Sequence, residues 1–433
     1  SSPMRFAFAD HLAWPRPVVS NLWGYSLCAT AFHLAALASA LADTHSVAPL
    51  APPPAVCPPR AASPAAWPRV SVIVPARDEQ RHIRRCVESL LAQDYPDYEV
   101  IVVDDASTDA TPALLRWLRQ SPSGRERLRV VRVEAPPEGW AGKPYAMHIG
   151  AGLASGAWLL FTDADTCHAP SALRSAVARA EAERADLFTI NTAQEHASFW
   201  NRALAPMVRM CTAVSYPLIR VNDPRSRLAL ANGQFMLARR AFYDWLGGYA
   251  AEELRGAIVD DVALARAVKL SGGRLLMVDG QKLVSTAMYR SLAEHWGGWS
   301  KNAVAASPWG ALYFALLAPC FPLMTVGPFA LLVAGLLRRD RRMSLAGALP
   351  VAAALGYRAY ADRGLAIPLR YGWTHPIGGV VFSLILARSF WYRLRGVTVP
   401  WRGRSYPATA YADGVRGWSR ARRQTPPGRE SAR

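Results

Sequence analysis

The stretch Trp158-Leu159-Leu160-Phe161-Thr162-Asp163-Ala164-Asp165 is the most informative segment of the chain. Its apolar first half predicts a short buried strand, and two aspartates follow that strand directly. Ligands of open α/β sheets lie beyond the carboxyl ends of the strands. Paired carboxylates at such an end can bind Mg²⁺ or Mn²⁺ bridging two phosphates, since hard cations prefer oxygen ligands. The stretch therefore predicts a metal-assisted site; the alternative is a solvated turn or helix N-cap.

Three further β-branched or apolar runs precede this segment, and they predict strands over residues 70–75, 98–103 and 128–133. Apolar residues at helical spacing follow the first of them, at Ile83 and Val87. Continuous apolar strands that alternate with helices are typical of a parallel sheet covered by helices on both faces. The fold class is therefore α/β.

Two more acidic clusters complete a candidate site. Asp104-Asp105 ends the second predicted strand, where carboxylates can accept hydrogen bonds from a nucleoside, while Asp109 is a candidate helix cap. Asp260-Asp261 opens a predicted helix. These aspartates can serve either as the helix N-cap or as a general base that takes the proton of an attacking hydroxyl. With the upstream clusters present, the base is favoured, although the helix dipole should lower its pKa. Lys143, in a loop before a helix, can meet a phosphate or a base.

Composition and charge indicate a membrane protein. The chain has 433 residues, 51% of them hydrophobic, and a formal charge of +18. Because much of the arginine flanks apolar runs, an anionic membrane surface is favoured over nucleic acid. The six cysteines show no zinc or disulfide spacing. The predicted regions are a membrane anchor (1–46), a Pro-rich linker (47–69), an α/β domain (70–308), a membrane region (309–396) and a basic cytoplasmic tail (397–433).

The positive-inside rule constrains the threading of the last apolar segments. Arg338 to Arg342 and the basic tail should both be cytoplasmic. This requires residues 310–337 to enter and return on one side as a Pro-broken hairpin or interfacial segment, followed by an out-and-back pair over 343–360 and 375–394. A single span over 310–337 is the alternative. The expected location is the cell membrane, multi-pass, with the α/β domain facing the cytoplasm.

Four motifs in order resemble family 2 glycosyltransferases with the GT-A fold, whose Rossmann-like mixed sheet has helices on both faces. The motifs are Val72-Ile73-Val74-Pro75-Ala76-Arg77-Asp78-Glu79, Asp104-Asp105-Ala106-Ser107-Thr108-Asp109, Asp163-Ala164-Asp165 and Asp260-Asp261. The resemblance implies a nucleoside pocket and a donor site made by Pro75, Arg77, Glu79, Asp104, Asp105, Lys143 and Asp163. It also implies Asp165, with Asp163, as metal ligands and Asp261, beside Asp260, as the base. Asp78 departs from the usual Asn, and Asp260 from the usual Glu.

A second set of motifs resembles the hopanoid-associated, carotenoid and ceramide glucosyltransferase branch, which implies a lipid acceptor. The set is Gly139-Trp140-Ala141-Gly142-Lys143, Asn232-Gly233-Gln234-Phe235, Gly298-Trp299-Ser300-Lys301-Asn302 and Val399-Pro400-Trp401-Arg402-Gly403-Arg404-Ser405-Tyr406. We expect Gln234, Trp296, Trp299 and Lys301 on the acceptor side. The two tryptophans fit an interfacial aromatic belt equally well.

The predicted function is inverting, non-processive transfer of a sugar from a nucleotide sugar, with UDP implied by the resemblance, to a lipid or isoprenoid acceptor, using Mg²⁺ or Mn²⁺. The Gln-x-x-Arg-Trp motif of processive polysaccharide synthases is missing, and His295-Trp296-Gly297-Gly298-Trp299 occupies a similar place. A processive synthase remains the first alternative. The others are a non-catalytic nucleotide-sugar-binding membrane protein and a nucleotidyltransferase that releases pyrophosphate.

Overall fold

The computed structural model describes residues 16–46, 49–50, 67–305, 310–401 and 404–407. The α-helices are α1 (Arg16–Ser46), α2 (Ile83–Leu91), α3 (Thr111–Arg119), α4 (Pro122–Arg127), α5 (Gly142–Leu153), α6 (Ala172–Ala182), α7 (Phe199–Ser215), α8 (Leu218–Asn222), α9 (Arg240–Leu246), α10 (Glu252–Arg255), α11 (Asp260–Leu270), α12 (Leu292–Ala305), α13 (Gly310–Thr325), α14 (Gly327–Leu337), α15 (Arg341–Gly364) and α16 (His375–Arg395). The strands are β1 (Val70–Ala76), β2 (Tyr98–Asp105), β3 (Leu128–Val133), β4 (Trp158–Phe161), β5 (Thr166–His168), β6 (Leu187–Asn191), β7 (Ala193–Gln194), β8 (Met236–Arg239), β9 (Leu275–Asp279), β10 (Val284–Thr286), β11 (Thr398–Trp401) and β12 (Arg404–Pro407).

A seven-stranded mixed sheet organises the α/β domain, with strand order β3-β2-β1-β4-β8-β6-β9. The four strands predicted from apolar runs are adjacent and parallel, since β1 pairs in parallel with β2 and β4, and β2 with β3. Strand β8 runs antiparallel to both of its neighbours. The predicted α/β fold with a mixed sheet is therefore confirmed.

Helices cover both faces of this sheet, as predicted. Alternate residues of β1 point to opposite sides, so Val72 packs in one hydrophobic cluster with Ile83 of α2, while Ile73 packs in another with Met147 of α5. Both clusters are almost fully buried. Because the strands are buried on both faces, they read as continuous apolar runs in the sequence.

A second, three-stranded sheet in the order β5-β10-β7 lies beside the end of β4. The backbone N–H of Ala287, just after β10, donates to the carbonyl of Asp165 at 3.1 Å. The hydroxyl of Thr166 at the start of β5 donates to the carbonyl of Asp163 at 2.7 Å. These bonds fix the backbone that carries both predicted metal ligands.

Two helical segments of the described chain are long and apolar enough to cross a membrane, Asn21–His45 and Leu369–Arg395. A third candidate is the pair Ala318–Thr325 and Gly327–Leu337, which is bent by 41°. The bend fits the predicted Pro-broken segment, since Pro328 lies in the first turn of α14. The predicted segment 343–360 forms a helix, but α15 is not among the candidate spans.

The α/β domain packs directly on these helices through α7. Leu204, Met207 and Met210 of α7 form one hydrophobic cluster with Phe382 and Ile385 of α16. A fully buried ion pair lies in the same bundle: the Nε of Arg358 contacts an Asp362 carboxylate oxygen at 2.7 Å. A second Arg358 nitrogen donates to the carbonyl of Arg202 in α7 at 2.8 Å. Apolar packing and a buried charge pair therefore join domain and bundle.

The predicted linker and tail fall mainly outside the described residues. Of the linker, residues 49–50 and 67–69 are described, and the N–H of Leu50 donates to the carbonyl of Asp279 at 2.7 Å. Of the tail, β11 and β12 form an antiparallel hairpin. The domain boundaries stay predictions.

Candidate active site

The predicted site residues gather at one edge of the main sheet. Strands β1, β2 and β4 are parallel, so the segments that follow them emerge side by side. Asp105 closes β2, Arg77 follows β1, and Asp163 follows β4 after Thr162, whose N–H donates to the carbonyl of Ile73 at 3.1 Å.

The ammonium of Lys143 lies at the centre of the acidic groups. It contacts Asp163 at 2.8 Å and Asp260 at 3.4 Å. Burial alone would lower the pKa of Lys143, but the charges of Asp163, Asp260 and Asp261 raise it above its usual value. The lysine was predicted to meet the nucleotide; here it joins the segment after β4 to the start of α11.

Asp261 is held by backbone donors at the start of α11. One carboxylate oxygen accepts from the N–H of Gly233 at 2.9 Å, and the other from the N–H of Val262 at 2.8 Å. Burial raises its pKa, although Lys143 and the N–H of Gly233 lower it. The N–H of Val262 at the helix start also lowers this pKa, as expected, but burial is the larger effect and the pKa is raised overall.

Asp260 lies beside Asp261 and is almost fully buried, whereas Asp261 is half-buried. Burial raises its pKa to about 6, against the lowering effect of Lys143, and the charge of Asp261 adds to the rise. Like charges held close together in a buried site disfavour full ionisation of both. The pair is thus able to hold and release a proton near neutral pH.

The two aspartates at the end of β2 have different surroundings. Asp104 accepts from Arg132 at 2.7 Å and from the N–H of Ser107 at 3.0 Å, so it orders the turn after the strand. Asp105 is bracketed by arginines: Arg77 Nη1 lies 3.9 Å from its carboxylate and donates to its carbonyl at 2.9 Å. The second arginine is Arg404 of β12, which contacts both carboxylate oxygens.

The remaining residues predicted for the nucleoside pocket line the same edge. Pro75 lies in β1 beside Val103 of β2. Glu79 is buried in the turn before α2, and its N–H donates to the hydroxyl of Thr111 at 2.8 Å. Asp78 adopts a positive φ of 53°, and its carboxylate accepts from the N–H of Thr108 at 2.8 Å. The short Asp side chain tolerates this conformation, as Asn does.

The residues predicted for the acceptor side fall into two groups. Gln234 lies next to the catalytic candidates, because its neighbour Gly233 donates to Asp261. Its amide nitrogen contacts the sulfur of Met288 at 3.1 Å. Trp296, Trp299 and Lys301 lie on α12, and both tryptophans pack against the cluster that α7 shares with the candidate membrane helices. This packing favours the interfacial role of the tryptophans.

Sequence reasoning missed several polar partners. Thr192 and Asn232 both contact the side chain of Gln234, Arg132 pairs with Asp104, and Arg404 pairs with Asp105. Asn232 and Arg404 stood within the motifs of the branch resemblance, which was the available signal. Arg132 lies in β3 and Thr192 between β6 and β7, and neither carries such a signal.

The donor set fits a nucleotide-bound divalent cation. Within residues 16–46, 49–50, 67–305, 310–401 and 404–407, no three His, Cys, Asp or Glu side chains cluster as a metal site. Mg²⁺ is commonly held by only one or two protein carboxylates, with substrate phosphates and water supplying the rest. Asp163 and Asp165, half-buried at the same turn, supply hard oxygen ligands of that kind.

Comparisons with known proteins match the central part of the chain. Residues 71–245 match the family model described as glycosyl transferase family 2. The succinoglycan biosynthesis protein ExoO of Rhizobium meliloti is 37% identical over 124 residues, covering 29% of this chain and 33% of that protein. The beta-monoglucosyldiacylglycerol synthase of Nostoc sp. is 30% identical over 201 residues, covering 46% and 40%.

A third relative and a solved structure extend the match. The 4,4'-diaponeurosporenoate glycosyltransferase of Staphylococcus haemolyticus is 26% identical over 253 residues, covering 55% of this chain and 62% of that protein. The mannosyltransferase PcManGT from Pyrobaculum calidifontis, solved with GDP-Man and Mn²⁺, has a TM-score of 0.50 and 21% identity, covering 84% and 97%. The chain spans 33% and 40% of the first two relatives. The predicted family is confirmed for residues 71–245, and the likeness to PcManGT confirms the predicted fold.

Proposed function

From the premise that residues 71–245 form a family 2 glycosyltransferase domain with the GT-A fold, we propose that the whole protein transfers a sugar from a nucleotide sugar to a lipid or isoprenoid acceptor in the membrane. The observation that carries the proposal is the arrangement of Asp261, Asp260 and Asp163 around Lys143 at the sheet edge. Buried carboxylates with raised pKa beside a cation-binding turn suit displacement of a diphosphate by a hydroxyl.

Asp261 is the proposed base. An attacking hydroxyl must lose its proton as it bonds to the anomeric carbon, and direct displacement by that hydroxyl inverts the configuration there. Burial raises the pKa of Asp261, which makes it a stronger proton acceptor while ionised. The N–H groups of Gly233 and Val262 hold both carboxylate oxygens in place, so the carboxylate needs no reorientation before it accepts the proton.

Lys143 is proposed to exchange partners when donor binds. Its ammonium contacts Asp163 and Asp260, and an incoming diphosphate is an alternative anionic partner. Release of Asp163 from Lys143 would leave that carboxylate, with Asp165, to hold Mg²⁺ or Mn²⁺. Such an ion neutralises charge on the leaving diphosphate. Asp165→Asn should therefore abolish the metal dependence of nucleoside diphosphate binding, as measured by calorimetry with and without MnCl₂; unchanged dependence would contradict the assignment.

A lipid acceptor is supported by the packing of α7 on the membrane bundle and by two of the relatives. We propose a multi-pass protein of the cell membrane, with the α/β domain on the cytoplasmic face. Cysteine labelling at Arg341 and Arg395 tests the threading: both positions should react from the cytoplasmic side. Reaction of either from the opposite side would contradict the proposed hairpin of residues 310–337.

The test of the activity uses membranes that contain the protein, a panel of nucleotide sugars with UDP-glucose first, and MnCl₂ or MgCl₂. Mass spectrometry of extracted lipids should show a lipid that gains one hexose. Products with many added hexoses would favour the processive alternative. Absence of any sugar-modified lipid with the whole panel would refute the lipid transfer.

A further inference from the structure

The C-terminal hairpin reaches the donor side of the site. Helix α16, part of a candidate membrane span, ends at Arg395, and Gly396 adopts a φ of 60°, which terminates the helix. Strand β11 begins three residues after Arg395, and β12 pairs antiparallel with it. The hairpin therefore connects the last membrane helix directly to the α/β domain.

The hairpin contacts the α/β domain through a bidentate ion pair between Arg404 and Asp105. The Nη1 of Arg404 lies 2.5 Å from Oδ2 of Asp105, and its Nη2 lies 2.8 Å from Oδ1. The side chains are 19% and 6% exposed, so the pair is largely withdrawn from water. Paired N–H groups on both oxygens fix the plane of a carboxylate as well as its charge, which a single lysine contact cannot do.

The Asp105 carboxylate can still accept further hydrogen bonds while it is paired with Arg404. Each carboxylate oxygen has two lone pairs, and Arg404 uses one on each oxygen. Arg77 Nη1 lies 3.9 Å from Oδ2, beyond hydrogen-bond distance. A nucleoside N–H or hydroxyl can therefore bond to Asp105 without displacing Arg404.

The same hairpin also touches the acceptor side, because β11 lies against α12, the helix of Trp296, Trp299 and Lys301. One short element thus contacts both the end of β2 and the helix beside the membrane bundle. The hairpin therefore lies between the end of β2 and α12.

We propose that Arg404 is a positioning residue for the donor: it orients the carboxylate of Asp105 toward the nucleoside, so that the hairpin after the last membrane helix completes the nucleoside pocket. This inference rests on the proposed function, since it requires a nucleotide at Asp105. It assigns a role in donor binding to a segment outside residues 71–245, the part that matches the family.

The test measures binding of UDP, GDP, ADP and dTDP to the full-length protein in detergent, with MnCl₂ present. For the diphosphate that wild type binds best, Arg404→Ala should weaken the Kd about tenfold, equivalent to about 1.4 kcal/mol. Arg404→Lys should recover little of this loss, because an ammonium cannot bond to both oxygens in one plane. The matched control is Arg395→Ala, an exposed arginine before the same hairpin, which should bind as wild type does.

A double-mutant cycle separates positioning from a general structural effect. If Arg404 acts through Asp105, the pair Asp105→Asn with Arg404→Ala should bind no more weakly than Asp105→Asn alone. In turnover, Arg404→Ala should raise the donor KM and change kcat less than twofold. Each variant is compared only after its unfolding temperature matches wild type; Arg404→Gln replaces any Arg404 variant that fails to fold.

Two results would overturn the inference while leaving the proposed function intact. Equal binding by wild type and Arg404→Ala would show that the hairpin takes no part in the pocket. Tighter binding by Arg404→Ala would show that the hairpin obstructs the pocket instead of completing it. Failure of wild type to bind any of the four diphosphates would instead remove the proposed function, and this inference with it.

Discussion

Replacement of Lys143 by Met tests the electrostatic arrangement of the site most sharply. The substitution keeps the length and apolar stem of the side chain but removes the ammonium that faces Asp163 at 2.8 Å and Asp260 at 3.4 Å. Three carboxylates, those of Asp163, Asp260 and Asp261, then lie together without their shared cation. We expect a folded protein of reduced stability.

The size of the loss follows from the distances. At an effective dielectric constant of about 20, charges 2.8 and 3.4 Å apart attract by about 6 and about 5 kcal/mol before desolvation is counted. Removal of one partner of a buried pair costs about 3–5 kcal/mol after desolvation. Since the side chains of Lys143 and Asp163 are 33% and 30% exposed, water replaces part of the attraction. We therefore expect about 3 kcal/mol, or roughly 6–12 °C in the unfolding temperature of a domain of this size.

The loss of stability in Lys143→Met should increase with pH. Burial raises the folded-state pKa of Asp260 from 3.8 to about 6, so the folded state binds the proton more tightly and loses stability as pH rises between these values. Without Lys143 the folded pKa is higher still, and the loss continues above pH 6. The deficit of Lys143→Met relative to wild type should therefore be larger at pH 7.5 than at pH 5.

The assay is thermal unfolding of the purified protein in detergent at both pH values. Lys282→Met is the matched control, because Lys282 is exposed. Equal unfolding temperatures for the two variants would refute the assigned role of Lys143. A deficit of the same size at pH 5 and pH 7.5 would refute the involvement of Asp260.

Three further outcomes are expected. In Gly233→Ala the added Cβ would lie 3.0 Å from Lys143 Nζ and 3.3 Å from Asp261 Oδ2, so both groups must shift. We expect kcat to fall by about tenfold to 10²-fold while the unfolding temperature stays unchanged. An unchanged kcat would contradict this geometry. Asp362→Leu leaves the buried Arg358 without its counter-charge and should lower the free energy of unfolding in detergent by about 3–5 kcal/mol. The double variant with Arg358→Met should recover much of this stability. Equal stability of the single and double variants would argue against the ion pair. Because burial raises the pKa of Asp261, kcat should rise with pH through a midpoint above 3.8, the ordinary aspartate value, and a pH-independent kcat from pH 4 to 8 would contradict its role as a base.

The parallel half of the sheet could be predicted because its strands are buried on both faces. The predicted strands over 128–133 and 158–161 match β3 and β4 at both ends, and those from 70 and 98 begin at the first residues of β1 and β2. Strand β8 was not predicted, because its residues, Met236–Arg239, include no β-branched or aromatic side chain that would mark a strand in the sequence. Its antiparallel direction depends on the path of the chain through space, which local sequence does not encode.

The site was predictable as a set of residues and not as a set of contacts. Asp163, Asp261 and Lys143 were each identified from their positions at strand ends or helix starts. That one ammonium faces both Asp163 and Asp260 depends on how three chain segments meet at the sheet edge. The pairing of Arg404 with Asp105 spans 299 residues and requires the chain to return from the membrane bundle. The raised pKa of Asp261 also needed the structure, because burial outweighs the helix terminus.

The most direct test of the central claim is a comparison of Asp261→Asn with wild type in the lipid-labelling reaction and in donor binding. An Asn side chain keeps the size of the residue but cannot take a proton from the acceptor. We predict that nucleoside diphosphate binds within about threefold of wild type, since Asp261 is not assigned to the nucleotide, whereas hexose transfer falls by about 10²–10⁴-fold. The control is Asp244→Asn, on an exposed side chain of α9, which should transfer as wild type does. Transfer by Asp261→Asn at the wild-type rate, with donor binding intact, would contradict the account.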